Sequence, residues 1–282
     1  MGVEVCLHIN QLLLHPFLFL MVLKRTKRID VGAIYVLWLR EMKGLWRAKS
    51  RVVGSLGMPL FFLAFLGLGF SHAAIPEMPK GMSNTGFFTT GVIGMTMVFS
   101  SVFAGISVLW DKEFGFLKEV MVAPVSRLSI VLGRTMGGST TALMQGVMIL
   151  MLSTLLGFEI KDVIAVIAAL PFMCLISFTF VGMGLVFASF MRDMHGFPLV
   201  MNFIVFPIIL FSGALFPIET LPSWLLPAWY IDPLSYGVDG LRATLLGVSE
   251  ISVLSDLFIS FAVSAGMITA GAYLFERTDV GK

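Results

Sequence analysis

Six stretches of this chain contain no Asp, Glu, Lys, Arg or His: Val52 to Phe70, Phe87 to Trp110, Thr135 to Phe158, Val163 to Met191, Phe197 to Phe216, and Leu257 to Phe275. A bilayer core takes about 20 apolar residues in helical form, so each window predicts one membrane-crossing helix. Composition agrees: 57% of the 282 residues are hydrophobic, above the roughly 45–50% of a soluble domain. With the spans using up so much of the chain, no second aqueous domain is expected. The expected fold class is an all-α integral membrane protein with six transmembrane helices over residues 52–275. The fourth window is long, and Pro171 inside it either kinks the helix or marks where it leaves the lipid.

The distribution of charge sets the orientation. Sixteen of the nineteen Lys and Arg residues lie in the segment up to Arg51, in the connection 110–134, at Arg192 and after the last window. Cytoplasmic segments carry this excess, so both termini, including the tail 276–282, are expected in the cytoplasm of a cell bounded by this plasma or inner membrane. The opposite segments keep only Lys80, Lys161 and Arg242, with eight acids. A formal net charge of +2 gives no reason to expect a nucleic-acid partner.

Residues 1–29 stand apart as an uncertain N-terminal extension. Leu12 to Leu23 is apolar but too short to span, and no basic region precedes it. A translation start at Met21 and a short membrane-surface anchor are both open readings. Residues 30–51 place Ile34, Trp38, Met42, Leu45 and Trp46 at helical spacing, with Arg40, Lys43, Arg47, Lys49 and Arg51 between them. That pattern predicts an amphipathic helix in the cytoplasmic interface, apolar face in lipid, cations toward anionic headgroups, and Asp30 as its N-cap.

Several chemistries lack their residues. No window carries an ionisable group of the kind that ion-coupled carriers hold at depth. The polar residues inside the windows, among them Thr96, Ser100, Ser101 and Gln145, serve helix packing, with a minority available to face a translocation path. Cys6 and Cys174 lie in unlike contexts and predict no disulfide framework. The four histidines are too scattered to ligate a metal, and no G-x-S-x-G elbow occurs. "GRTMGGST", Gly133 to Thr140, has phosphate-loop spacing, but Ser139 stands where the lysine belongs. Its small residues are expected to let the third span start against a neighbour.

Two segments remain. Between the second and third windows, Asp111, Lys112, Glu113, Lys118, Glu119, Arg127 and Arg134 concentrate charge in a chain only 13% charged. Phe114, Leu117 and Met121 form a short helical stripe, Pro124 breaks it, and Ser126 caps the next helix. An exposed short helix with aromatics and mixed charges suits a docking surface, and a solvated loop that keeps Phe114 and Phe116 in the interface is the competing reading. After the fifth window, Pro217, Pro222, Pro227 and Pro233 alternate with Trp224, Trp229, Tyr230 and Tyr236. Proline at this density excludes one straight span, and Trp and Tyr favour headgroup level, so short re-entrant helices in the outer interface are expected.

From about Tyr35 to Phe275 the chain resembles the membrane subunits of type 2 ABC exporters, in particular the daunorubicin-resistance-like permeases. The resemblance rests on the amphipathic helix before the first span and on "KEFGFLKEVMVAPVSRLSIVLGR", with Glu113, Leu117, Pro124, Ser126, Gly133 and Arg134 at the family's positions. It rests also on "LFPIETLP" followed by "DPLSYGVDGLR", with Pro233, Leu234, Tyr236 and Arg242. It implies a pump of two permeases, alike or different, and two ATPase subunits, which bind ATP and Mg while this chain holds no cofactor and no catalytic site. Lys112, Glu113, Phe114, Phe116, Leu117, Lys118, Glu119 and Pro124 would form the coupling helix that docks the ATPase. Pro217, Pro222, Trp224, Pro233, Tyr236 and Arg242 would close the outer gate, with the first and fifth spans lining the dimer path. The cargo implied is a hydrophobic drug, a lipid or a related molecule. The alternative is a membrane scaffold or passive channel that docks another cytoplasmic partner.

Overall fold

The computed structural model describes residues 29–47, 49–70, 82–113, 126–191 and 194–277. The described residues are overwhelmingly helical, with no strand among them. The first helix, α1 (Val31–Arg47), leads into α2 (Lys49–Phe62), which continues as a π-helical segment, Leu63–Leu68. α3 (Asn84–Ile106) is extended by α4 (Val108–Glu113), and α5 (Arg127–Leu155) and α6 (Val163–Phe190) follow. Next come α7 (Phe197–Val200), a π-helical stretch Met201–Val205 and α8 (Phe206–Phe211). The outer segment holds α9 (Leu226–Ile231) and α10 (Pro233–Leu246), before the last helix, α11 (Val253–Arg277).

Helix starts follow the capping residues. Asp30 Oδ1 accepts from the Gly32 and Ala33 amides, and Ser126 Oγ accepts from Ser129 N at 3.1 Å, as the sequence predicts for both. Asp162 starts α6 by accepting from Ala165 N at 2.6 Å, and α6 then runs through Pro171 without a break.

Among the described residues, four helices are long and apolar enough to cross a membrane: Asn84–Asp111, Leu128–Leu155, Val163–Phe190 and Val253–Phe275. The other two expected spans are shorter apolar helices, Val53–Gly67 and Phe197–Phe211. Both contain prolines, Pro59 in the first and Pro198 and Pro207 in the second, and both carry π-helical turns. Proline takes out one rung of the i→i−4 ladder, and displaced turns absorb the loss.

α6 sits at the centre, packed by α3, α10 and α11, while α5 lies along α3 and α6, and α1 lies along α5. Lipid removes the hydrophobic drive between helices, so close approach and dispersion must hold the bundle. Glycine supplies that approach. A Cβ on Gly105 would lie 2.5 Å from Val181 O, and one on Gly184 2.5 Å from Val102 O, so α3 and α6 cross backbone to backbone. On the other face of α6, Gly182 seats the α11 backbone at Met267 and Ile268. Phe87, Ile93, Met97, Ile176 and Phe180 fill the surrounding core.

Candidate functional site

The connection between the second and third spans leaves the bundle at Glu113 and returns at Ser126. Lys112 and Glu113 close α4, whereas Phe114, Phe116, Leu117, Lys118, Glu119 and Pro124 lie outside the described residues. What the structure does define is the frame on which the connection stands.

That frame is built on α1. Its inward face, Ile34, Leu37, Trp38 and Glu41, lies on the first turns of α5, where Gly133 and Gly137 make room. A Cβ on Gly133 would lie 2.8 Å from Leu37 Cβ, and one on Gly137 2.6 Å from Glu41 Cγ. The small residues of the false phosphate loop therefore seat a helix. All of Gly133 to Thr140 lies inside α5, so its amides are committed to helical bonds and cannot cradle a phosphate. Trp38 Nε1 donates to Thr140 Oγ1 at 3.1 Å, and Asp30 N donates to Ser129 Oγ at 2.8 Å. The amphipathic reading of α1 thus needs correction in register. Tyr35, Val36 and Trp46 are outward and exposed, while Trp38 faces the protein.

Four charges then close the frame. Arg134 Nη1 donates to Glu41 Oε1 at 2.6 Å, and its Nη2 pairs with Asp111 Oδ2. Asp111 Oδ1 also accepts from Arg40 Nη2 at 3.0 Å. The order Glu41, Arg134, Asp111, Arg40 is neutral overall and joins α1 to both roots of the connection. Arg134 is the most enclosed, with 8% of its side chain exposed, against 39% for Arg40. Arg40 thus faces a carboxylate, where the sequence placed it toward headgroups. Arg134 lies two turns inside the helix that Ser126 caps, ahead of the charge-free window that starts at Thr135, and its two carboxylate partners offset the cost of burying it.

The outer segment contains short helices, as expected, but α10 is inserted into the bundle, with Leu234, Tyr236, Val238 and Leu241 buried against neighbouring helices. The six residues assigned to an outer gate divide. Pro217, Tyr236 and Arg242 are buried and Pro233 half-buried, whereas Pro222 and Trp224 are exposed. Arg242 is a pin: Nη2 donates to Gly213 O at 2.7 Å, Nε to Thr90 Oγ1 at 3.4 Å, and the guanidinium stacks 4.0 Å from the Phe87 ring centre. Gly213 turns the chain at φ 78°, a left-handed value that favours glycine. Tyr236 donates its hydroxyl to Tyr230 O at 2.6 Å and packs on Trp229, a buried residue the gate assignment omitted. Asp239, also omitted, accepts from the Glu250 and Ile251 amides and so fixes the turn before α11. Asp232 caps α10 through the Leu234 amide, and burial pushes its carboxyl up to about 8.

Sequence comparison agrees with this architecture. The ABC-2 type transporter family matches residues 32–246, from the start of α1 to the end of α10. The protein named transport permease ycf38 of Pyropia yezoensis is 28% identical over 240 residues, covering 83% of this chain and 80% of its own. Nodulation protein J of Rhizobium leguminosarum bv. trifolii is 27% identical over 221 residues, covering 78% and 80%. The ycf38 permease of Cyanophora paradoxa is 25% identical over 218 residues, covering 77% and 75%. With its apolar helices, its α1 frame and a family match over most of its length, this chain belongs to the ABC-2 transporter family and is a membrane transport permease subunit.

Proposed function

We propose that this chain is the membrane-spanning half of an ATP-driven exporter, paired with a second permease and with separate ATPase subunits that bind ATP and Mg. It moves a hydrophobic drug, lipid or related cargo out of the cytoplasm or inner leaflet. The supporting observation is the neutral chain of charges at the roots of the connection 112–125. A segment that only joined two spans would not need both of its ends tied to a third helix through a buried arginine.

Force applied to that segment reaches α1, α3 and α5 together. ATP-driven closure of two ATPase subunits would push the two connections and rock the attached helices between inward- and outward-open arrangements, a rigid-body switch. ATP supplies the bias by binding one arrangement better, and the permease supplies the two arrangements. Pro217, Pro222, Trp224, Pro233, Tyr236 and Arg242, with Trp229, form the outer end in this reading. The plasma or inner membrane, with both termini cytoplasmic, is the corresponding location.

The test is co-purification. Phe116→Asp with Leu117→Asp is expected to abolish recovery of a co-expressed phosphate-loop ATPase subunit while leaving membrane insertion intact. Unchanged recovery would sink the docking role.

A further inference from the structure

Asp239 and Asp256 meet where the chain turns from α10 into α11. α10 ends at Leu246, α11 starts at Val253, and the two helices pack on each other. Asp239 Oδ1 accepts from Glu250 N at 3.0 Å, and its Oδ2 accepts from Glu250 N at 3.1 Å and Ile251 N at 3.0 Å. Those bonds hold the carboxylate beside the first turn of α11, where Asp256 lies within hydrogen-bonding reach of it. Asp239 is 2% exposed and Asp256 0%. Among the described residues, neither oxygen of Asp256 has a donor. One turn before Asp239 on α10, and one turn after Asp256 on α11, the buried Ser235 and Ser260 hydroxyls are likewise without a partner.

An ionised carboxylate only accepts, so two of them cannot hydrogen-bond each other, and two like charges enclosed in contact oppose one another's ionisation. A single proton resolves both conflicts. Asp239 keeps the charge, because its amide bonds favour the ionised form. Arg242, which directs its own donors to Gly213 and Thr90, also acts on Asp239. Asp256 then carries the proton and donates it to Asp239. The N-terminus of α11 favours an anion at Asp256, but a full charge in contact outweighs those partial charges. The other titratable groups at this corner are Asp232 and Tyr236 on α10 and the exposed Glu250 and Glu219. Lys161 is bonded to Leu246 O at the end of α10, and α6, which packs on both helices, has no ionisable side chain but Cys174.

We propose that Asp239 and Asp256 share one proton, and that this proton latches α10 onto α11. Its loss leaves two enclosed anions between the helices and pushes α10 away. Tyr236 and Arg242 move with α10, a consequence for the outer end that rests on the gate reading above. The shared proton does not.

The experiment uses the full-length permease, purified without any ATPase, and reads the proton by infrared absorption of the carboxyl C=O. Asp232→Asn serves as the background, because Asp232 is another buried carboxyl. At pH 6 this protein should show a protonated-carboxyl band that shifts in D2O and is lost by pH 9. Asp256→Asn and, separately, Asp239→Asn should each remove the whole band, because either carboxylate left alone ionises against an amide donor. Stability from a proton bound only in the folded form falls as pH rises, so the melting temperature should drop by roughly 3 °C or more from pH 6 to pH 9. Asp256→Asn, whose amide donates to Asp239 at every pH, should drop far less. His72→Asn with Lys80→Gln, which clears the basic side chains of residues 71–81, should leave both results unchanged. No band at pH 6, a band that survives Asp256→Asn, or an equal drop in that variant overturns the proposal. So does a pH profile lost with His72 and Lys80, or one abolished by sodium at pH 9, which would put a metal cation in the proton's place.

Discussion

Arg134 is enclosed between two carboxylates, and this sets the relative weight of its neighbours. Removing one partner of a buried pair leaves a charge uncompensated, at a cost of about 3–5 kcal/mol, whereas an exposed pair contributes about 0–1 kcal/mol. Asp111→Ala should therefore lower the melting temperature of the detergent-solubilised protein far more than Arg40→Gln, since Arg40 is 39% exposed. Equal shifts would show that Arg134 does not depend on Asp111. Asp232 makes a second residue-scale prediction. Burial raises its carboxyl from 3.8 to about 8, so between those values the folded protein holds a proton that the unfolded chain has lost. Stability from this group is full at low pH and falls as pH rises through that window. Melting temperature should drop from pH 5 to pH 9, and Asp232→Asn, which keeps the cap, should flatten the slope. Parallel slopes in the two proteins would contradict it.

At the scale of elements, the frame depends on α1 lying flat on α5. Gly137→Leu places side-chain atoms where the Glu41 stem now runs, so α1 should lift and Trp38 should lose Thr140. ATP-driven transport in vesicles should fall at least tenfold while ATPase recovery stays near normal, because the proposed docking residues differ from those that seat α1. Full transport in this variant would sink the role of α1. Gly105→Leu should instead destabilise the whole bundle by about 3 kcal/mol, since rigid backbone at Val181 cannot yield. The four long helices could be read from charge-free windows because their apolar runs are long. The windows alone do not give their ends, since Arg134 and Asp256 lie inside helices that a charge-free window must exclude; for α5 the Ser126 cap supplied the start. Residues 41, 111 and 134 meet only in three dimensions, and no local pattern links them. Arg242 was found through the family-like motif, and its buried position pinning Gly213 gives that motif a physical reason.

For the molecule as a whole, the proposed topology puts α1, the facing ends of α4 and α5 and the C-terminal end of α11 on the cytoplasmic side. Reporter fusions after Lys282 should read cytoplasmic, while a tag at Trp224 should be reached from outside. A cytoplasmic Trp224 would invert the topology and remove the docking role. In the proposed exporter, the connection held by Arg134 and Asp111 meets an ATPase. A photo-crosslinking benzophenone side chain at Phe116 tests this directly in intact membranes. The expected result is a covalent adduct with the co-expressed phosphate-loop ATPase subunit from Phe116 and none from Trp224. No adduct from Phe116, with both proteins present in the membrane, would contradict it.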